Sequence, residues 1–188
     1  MTWASVLNVA TSRNNMAITE GFISIGSNIE RHKHIAGGVA ALRHRFGKLL
    51  VSSVYETEAV GFNGAPFYNL VVGFTDTQDA KTVAGHLRQM EFAFGRSADS
   101  QKFSARTLDL DLLLYGDTII DDGSLQIPRA DITRYAFVLE PLAEIAPLLK
   151  HPQLQKSYAE LWEALPKAGI RQKRIVFDFA TDIRSPQP

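Results

Sequence analysis

Two aspartates stand one residue apart in a run of leucines, Asp109 and Asp111 within residues 108–112. Successive side chains of a β-strand point to opposite faces, so these carboxylates would project from one face about 6.6 Å apart. Like charges at that distance repel each other unless a cation lies between them, and Mg²⁺ suits two carboxylates together with phosphate oxygens. The pair therefore predicts a magnesium site, although the solvated face of an amphipathic strand would show the same pattern.

Basic side chains precede the aspartate pair in a polar segment, 95–105, that has no hydrophobic periodicity. Arg96, Lys102 and Arg106 can donate charge-assisted hydrogen bonds to phosphates. The carboxylate pair and these basic side chains together indicate a site for a nucleoside triphosphate. The sequence contains neither a Walker A motif nor G-x-G-x-x-G, so the triphosphate would bind without a glycine-rich phosphate loop. Phosphoryl transfer does not require such a loop, because its catalysis depends mainly on the positioning of the reactants and on cationic charge.

The composition of the 188-residue chain is that of one ordinary globular domain. Twenty Lys and Arg balance 20 Asp and Glu, so no overall field would attract nucleic acid or an anionic membrane. No apolar run approaches the length of a membrane span, and none is expected. The chain has no cysteine, which excludes disulfides and thiolate metal sites and permits a reducing compartment. We expect a cytoplasmic monomer.

The spacing of the five histidines does not predict a metal site. His32, His34 and His44 lie in one predicted helix, and His32 and His34 are two residues apart, so the side chains of these two would not share a face. His86 and His151 are isolated in the sequence. We expect all five imidazoles to be solvated.

Hydrophobic periodicity predicts the elements that must position these residues. A helix over 79–94 would begin at Asp79, and Gly26-Ser27-Asn28 would supply the cap of an earlier helix. The strand over 107–115 alternates, which places Leu108, Leu110, Leu112 and Leu114 on one face. In chain order the predicted elements are a strand at 22–25, a helix whose apolar face spans 35–46, strands at 49–57 and 67–75, the helix at 79–94 and the strand at 107–115.

This βαββαβ order predicts an α/β (α+β) fold, a split βαβ sandwich whose mostly antiparallel sheet has helices on both faces. A weaker strand at 118–121, a helix at 137–145, a second helix at 157–166 and an edge strand at 173–179 follow. We expect a loose leader at 1–20, with Met16 as an alternative start, a single domain at 21–180 and a tail at 181–188.

Six motifs occur in order along the chain: FISIGSN at 22–28, SVYET at 53–57 with Gly61 beyond it, FYN at 67–69, RTLDLDL at 106–112, IP at 127–128 and FVLEPLAEIAP at 137–147. Together they resemble the 6-hydroxymethyl-7,8-dihydropterin pyrophosphokinase family, and RTLDLD is the most specific of them. The resemblance implies a ferredoxin-like fold and transfer of the β,γ-pyrophosphoryl group of ATP to the hydroxymethyl oxygen of the pterin. AMP would be released, in folate synthesis.

The resemblance also implies roles for individual residues. Asp109 and Asp111 would hold two Mg²⁺ that bridge the triphosphate of ATP, the co-substrate, with Arg96 and Arg106 as further catalytic residues. The residues implied for the pterin are Thr57, Gly61, Phe67, Asn69 and Phe137, of which the two phenyl rings would stack on its faces. The residues implied for ATP are Glu91, Arg96, Lys102, Arg106, Arg129 and Arg134. Taken singly, Glu91 would be read as a solvated helix residue.

The chain departs from the family pattern at several positions. Arg129 stands where the family usually has histidine, and Tyr135 stands at a frequent arginine position next to Arg134. In the segment 95–105, Ala98 and Lys102 replace arginines and Phe103 replaces a common tryptophan. A lysine cannot form the bidentate phosphate contact of an arginine, so these changes affect nucleotide contacts more than metal or pterin binding.

Three hypotheses remain open from the sequence. The first is an active pterin pyrophosphokinase, and the second is a pterin- or nucleotide-binding member of that family with reduced or altered catalysis. The third is another enzyme that binds metal through a D-x-D motif, such as a glycosyltransferase, for which 188 residues leave little room. Small molecules are the expected partners in all three, with neither nucleic acid nor membrane.

Overall fold

The structure is a computed structural model that describes residues 17–96 and 105–179. Its elements follow the predicted βαββαβ order except in one place: the single strand predicted at 49–57 is two short strands, separated at Ser52 and Ser53. Further helices and short strands come after them. The elements are β1 (Thr19–Ser27), α1 (Arg31–Phe46), β2 (Leu50–Val51), β3 (Val54–Thr57), β4 (Phe67–Asp76), α2 (Ala80–Ala93), β5 (Asp109–Tyr115), β6 (Ile120–Asp121), β7 (Gln126–Ile127), α3 (Asp131–Arg134), α4 (Ala136–Ile145), α5 (Tyr158–Ala164) and β8 (Gln172–Ile175).

The main sheet is antiparallel throughout the described residues, as predicted, with the strand order β5-β1-β4-β3-β8 and β2 also paired to β4. The strand β8 forms an edge, as predicted, and β6 and β7 form a separate pair. The strand β1 begins at Thr19, which pairs with Asp76, two residues before the expected domain boundary at Gly21.

Two hydrophobic cores lie on opposite faces of this sheet, so the prediction of helices on both faces is confirmed. On one face, Ile23 and Ile25 of β1 pack in a core that contains buried residues of α1 and α2. On the other, Phe22 packs with Val138 of α4 and Tyr158 of α5. Alternation along β1 thus divides its apolar side chains between the two cores.

The strict alternation predicted for the strand over 107–115 is wrong after Leu112. The pairing of β5 with β1 shifts by one residue between Phe22 and Ile23. Such a β-bulge changes which face the following side chains occupy. Leu110 and Leu112 therefore pack in the first core, whereas Leu113 and Leu114 both pack in the second.

The two predicted helix caps have different outcomes. The Asp79 side chain accepts hydrogen bonds from the backbone N–H groups of Lys81 and Thr82, both at 3.0 Å, so this prediction is confirmed. The cap expected at 26–28 is wrong, because α1 begins after Glu30, whose side chain forms no capping hydrogen bond. Asn28 instead bonds to two distant loops.

The expectation of a solvated side chain is wrong for His151, which is buried. Its Nδ1 atom accepts hydrogen bonds from the backbone N–H groups of Gln153 and Leu154. Burial lowers the pKa of His151, so the imidazole favours its neutral form. Among the described helices, none is long and apolar enough to span a bilayer.

Candidate active site

Three neighbouring strands carry polar or small side chains next to their apolar core residues, towards the same end of the sheet. These side chains lie on the face of the sheet that packs on α4. In order towards the polar end of the sheet, they are Phe22, Ser24 and Gly26 in β1, Val71, Asn69 and Phe67 in β4, and Leu113, Asp111 and Asp109 in β5. The register places Gly26 between Asn69 and Asp109. Three distant segments thereby form one floor.

A cavity of about 600 Å³ lies over this floor. Ser24 and Gly26, the small residues of β1, line its base, with Asp109 and Asp111 on one side and Asn69 on the other. Its remaining walls come from the loop after β3 and from the segment between β7 and α4. A concave site that brings a few polar groups together is the usual form of a small-molecule site.

The aspartate pair lies in this cavity, with the side chains of Asp109 and Asp111 36% and 37% exposed. Burial raises the pKa of Asp109, and the nearby Glu91 carboxylate raises it further. Burial and the charge of Asp109 raise the pKa of Asp111 to about 6. The protein therefore disfavours two charged carboxylates at this position, a setting in which a divalent cation would be stabilised.

The donor set fits Mg²⁺ that is held jointly by the protein and by a phosphorylated substrate. Two adjacent carboxylates offer hard oxygen ligands, and Mg²⁺ commonly takes only one or two from a protein. Among residues 17–96 and 105–179, no cluster of three or more acidic, histidine or cysteine side chains could hold a metal ion. Phosphate oxygens and water are the further ligands that Mg²⁺ takes in sites of this kind.

Four arginines also line the cavity: Arg96, Arg106, Arg129 and Arg134. Nη2 of Arg129 lies 2.8 Å from Oδ1 of Asp111 and 3.2 Å from Oδ2 of Asp131. Nη1 of Arg96 lies 3.5 Å from Oδ1 of Asp109. The acids thus alternate with guanidinium groups, which can bind the negative oxygens of a polyphosphate.

Glu91 lies beneath the aspartate pair and does not line the cavity. Its side chain is only 4% exposed, so the reading of this residue as solvated is wrong. One carboxylate oxygen accepts a hydrogen bond from the Leu110 N–H at 2.9 Å, and the other lies 2.6 Å from Nη1 of Arg96. Glu91 therefore joins α2 to β5 and orients Arg96 towards Asp109. Burial raises the pKa of Glu91.

The opposite side of the cavity, called the neutral side below, is lined mainly by uncharged side chains, with the exposed Glu58 as the exception. Asn69 is buried, and its amide nitrogen donates to the Thr57 hydroxyl at 2.7 Å. A Cβ atom on Gly26 would lie 3.1 Å from the Asn69 amide oxygen, closer than ordinary van der Waals contact. Gly26 therefore leaves the space in which this amide is held, a role that the sequence reasoning missed and the GSN motif could have indicated.

Aromatic rings enclose the neutral side. Phe67 contacts the ring of Phe62 edge to face at 6.2 Å, and Phe137 stacks on Tyr135 with centroids 5.0 Å apart and an interplanar angle of 17°. All four rings line the cavity. In the sequence Tyr135 is only a departure from the family pattern, whereas in the structure it supports Phe137.

Asn28 joins the two loops at the edge of the site. Its amide nitrogen donates to the Ala65 carbonyl at 3.2 Å, and its amide oxygen accepts from the Arg106 N–H at 2.7 Å. The Asn28 backbone N–H donates to the Arg106 carbonyl at 3.0 Å. The loop that leads to Phe67 and the segment that leads to Asp109 are thus fixed to the end of β1.

The structure brings most of the sequence-predicted site residues to one cavity. Gly61 does not line it, although Val60 and Phe62 on either side do, and Gly61 has a positive φ of 83° that favours glycine. Lys102, with Ala98 and Phe103, lies outside the described residues. The predicted residues that line the cavity are Thr57, Phe67, Asn69, Arg96, Arg106, Asp109, Asp111, Arg129, Arg134 and Phe137.

Comparison with known proteins gives one consistent result. Residues 22–147 match the model of the family described as 7,8-dihydro-6-hydroxymethylpterin-pyrophosphokinase. The 2-amino-4-hydroxy-6-hydroxymethyldihydropteridine pyrophosphokinase of Bacillus subtilis is 34% identical over 70% of this chain and 78% of that protein. The enzyme of the same name from Pseudomonas aeruginosa is 32% identical over 80% of this chain and 94% of that protein.

Some relatives are much longer than this chain. The folic acid synthesis protein fol1 of Pneumocystis carinii is 32% identical over 87% of this chain, which spans only 22% of fol1. The crystal structure of Plasmodium falciparum HPPK-DHPS with pteroate matches 81% of this chain and 43% of that one, with a TM-score of 0.63 and 14% identity. At that identity the likeness concerns the fold alone, and it is consistent with the predicted ferredoxin-like arrangement.

Proposed function

Because the chain belongs to the 7,8-dihydro-6-hydroxymethylpterin-pyrophosphokinase family, we propose that it transfers the pyrophosphoryl group of ATP to 6-hydroxymethyl-7,8-dihydropterin in folate synthesis. The products are AMP and the pterin diphosphate. The observation that carries this proposal is one cavity in which an acidic pair, four arginines and a neutral aromatic pocket lie side by side. Family membership gives no support to the glycosyltransferase alternative.

The neutral side suits the pterin. A pterin has two flat faces and an edge of hydrogen-bond donors and acceptors, which match phenyl rings and an amide. Phe67 and Phe137 provide the rings, and Asn69 provides the amide, whose orientation is held by Thr57. A buried amide with a defined partner selects a ligand of matching polarity, because a ligand without it leaves buried groups unpaired.

The charged side suits the triphosphate. Asp109 and Asp111 would hold two Mg²⁺, which supply neutralisation of the phosphate charge. Arg96, Arg106, Arg129 and Arg134 bind and orient the phosphate oxygens around them, and Glu91 fixes the position of Arg96. The pterin hydroxymethyl oxygen releases its proton to water and forms a bond to the β-phosphorus, while the bond from that phosphorus to the oxygen of the α-phosphate breaks and AMP leaves with that oxygen. Holding both reactants in line supplies much of the acceleration.

The release of AMP tests this function. The full chain is incubated with ATP, Mg²⁺ and 6-hydroxymethyl-7,8-dihydropterin, and AMP is measured against a reaction without pterin. We expect AMP and pterin diphosphate in equal amounts. The absence of AMP above the pterin-free background would rule the activity out.

The second candidate is a family member that binds its ligands with little turnover. It is favoured by two features of the site. Arg129 pairs with the Asp111 oxygen that a metal ion would need, and Tyr135, which stands at a frequent arginine position of the family, stacks on Phe137. Calorimetry with the pterin and a non-hydrolysable ATP analogue distinguishes the two candidates. Tight binding of both ligands together with negligible AMP release would identify the binding protein.

The proposed setting is the cytoplasm, where a chain without cysteine needs no oxidising conditions. The proposed partners are the two small substrates and Mg²⁺. The balanced net charge favours no nucleic-acid or membrane partner. We propose that the chain acts as a monomer, which light scattering coupled to gel filtration tests directly.

A further inference from the structure

Arg129 holds a position that conflicts with metal binding by Asp111. Its Nη2 atom lies 2.8 Å from Oδ1 of Asp111, so a cation that takes this oxygen as a ligand must displace the guanidinium. The same nitrogen lies 3.2 Å from Oδ2 of Asp131. Arg129 therefore has a second acidic partner within reach when the first is taken.

The contacts of Arg129 allow its side chain to move while its backbone stays fixed. The Arg129 N–H donates to the Leu113 carbonyl at 3.0 Å, which anchors the residue beside β5. The side chain is held less completely. Its Nη2 atom makes both of these ion pairs, and its Nε atom is buried without a hydrogen-bond partner among the described residues. An ion pair with about one third of each side chain exposed is weak enough to exchange.

We propose that Arg129 is an internal counter-cation that competes with a divalent ion for Asp111, and that Asp131 is the acceptor that holds Arg129 when the ion binds. The inference rests on the metal role proposed above for the aspartate pair. Arg129 is thus a positioning residue that sets how strongly the chain binds the metal before any nucleotide is present. Asp131 acts through Arg129.

Arg134 provides the matched control. It lines the same cavity and carries the same charge, but no ion pair of Arg134 with Asp109 or Asp111 occurs among the described residues. A general loss of positive charge would affect metal binding similarly in Arg129→Gln and Arg134→Gln. Only a direct competition makes the Arg129 variant differ.

The test is titration of the full-length chain with Mn²⁺ alone, in which unbound Mn²⁺ is measured by electron paramagnetic resonance. We expect Arg129→Gln to tighten Mn²⁺ binding about fivefold and Arg134→Gln to change it less than twofold. Equal effects of the two substitutions, or weaker binding in Arg129→Gln, would overturn the proposal. Circular dichroism checks that each variant is folded.

A double-mutant cycle tests the part assigned to Asp131. We expect Asp131→Asn to weaken Mn²⁺ binding about threefold in the wild-type background and less than 1.5-fold in the Arg129→Gln background. An equal loss in both backgrounds would show that Asp131 does not act through Arg129. Neither pterin nor ATP is present, so a failure of the proposed reaction would appear in the AMP assay and leave this result unaffected.

Discussion

The two sides of the cavity differ in how completely their polar groups are satisfied by the protein itself. On the neutral side, Asn69 is buried and bonded to Thr57, and Gly26 leaves room for its amide. On the charged side, the pKa values of Asp109 and Asp111 are raised, and arginines compete for the same oxygens. The fold therefore preorganises the neutral side, whereas the carboxylates of the charged side keep raised pKa values although arginines lie beside them.

This difference fits the two ligands proposed for the cavity, a flat heterocycle and a polyphosphate. A neutral pocket gains selectivity from rigid, fully bonded donors and acceptors. A charged pocket gains binding energy for cations by keeping carboxylates underneutralised, at a cost in stability. Substitutions on each side of the cavity distinguish these two strategies.

Removal of either carboxylate should abolish catalysis. We expect Asp109→Asn and Asp111→Asn to lower the rate of AMP release by at least about 10³-fold, because each loses a proposed metal ligand. The pterin affinity should change less than about threefold, since the neutral side is intact. Asp117→Asn, at the exposed turn after β5, is the control and should retain activity. Retained turnover in both site variants would remove the carboxylates from the mechanism.

Removal of the buried Asn69 amide should weaken pterin binding and leave nucleotide binding intact. We expect Asn69→Ala to raise the pterin Kd about 50-fold, because the ligand loses a hydrogen bond and the Thr57 hydroxyl loses its partner. Calorimetry should show the affinity for an ATP analogue nearly unchanged. Tyr68→Phe, on the opposite face of β4, serves as the control. A comparable loss of nucleotide affinity would mean that the two sides are not independent.

A methyl group at Gly26 should disturb the neutral side without removing any polar atom. The added Cβ would press on the Asn69 amide oxygen at 3.1 Å, so we expect Gly26→Ala to raise the pterin Kd about tenfold, a smaller loss than deletion of the amide. Gly85→Ala is the control, because its Cβ meets no atom within 4 Å and alanine favours the helix. An unchanged pterin Kd in Gly26→Ala would show that the position tolerates a side chain.

The charged side should cost the protein stability at neutral pH. A carboxyl whose pKa is raised in the folded state makes the protein less stable as the pH rises from 3.8 to about 6. Because Asp111 is more than one third exposed, screening reduces the effect, and we expect Asp111→Asn to raise Tm by about 3 °C at pH 7.5. Thermal denaturation of both proteins in the absence of divalent ions measures this difference in Tm. The gain should disappear at pH 4, and a lower Tm at pH 7.5 would contradict this view.

The sequence alone predicts much of the local structure. Short-range periodicity places Asp109 and Asp111 on one strand and predicts the helix capped by Asp79, because such patterns depend on residues only two to four positions apart. The motifs also indicate most of the residues that line the cavity, through their resemblance to a known family. Contacts with Lys102 stay a prediction, since that residue lies outside the described part of the chain.

The partners of individual side chains were decided by the tertiary structure. Asn28 bonds to Arg106, 78 positions away, and Glu91 is buried because α2 packs beneath β5. The bulge in β5 and the contact of Arg129 with Asp111 depend on neighbouring strands and loops in the same way. Periodicity determines which face a residue occupies, but only the packing of distant segments determines what it meets there.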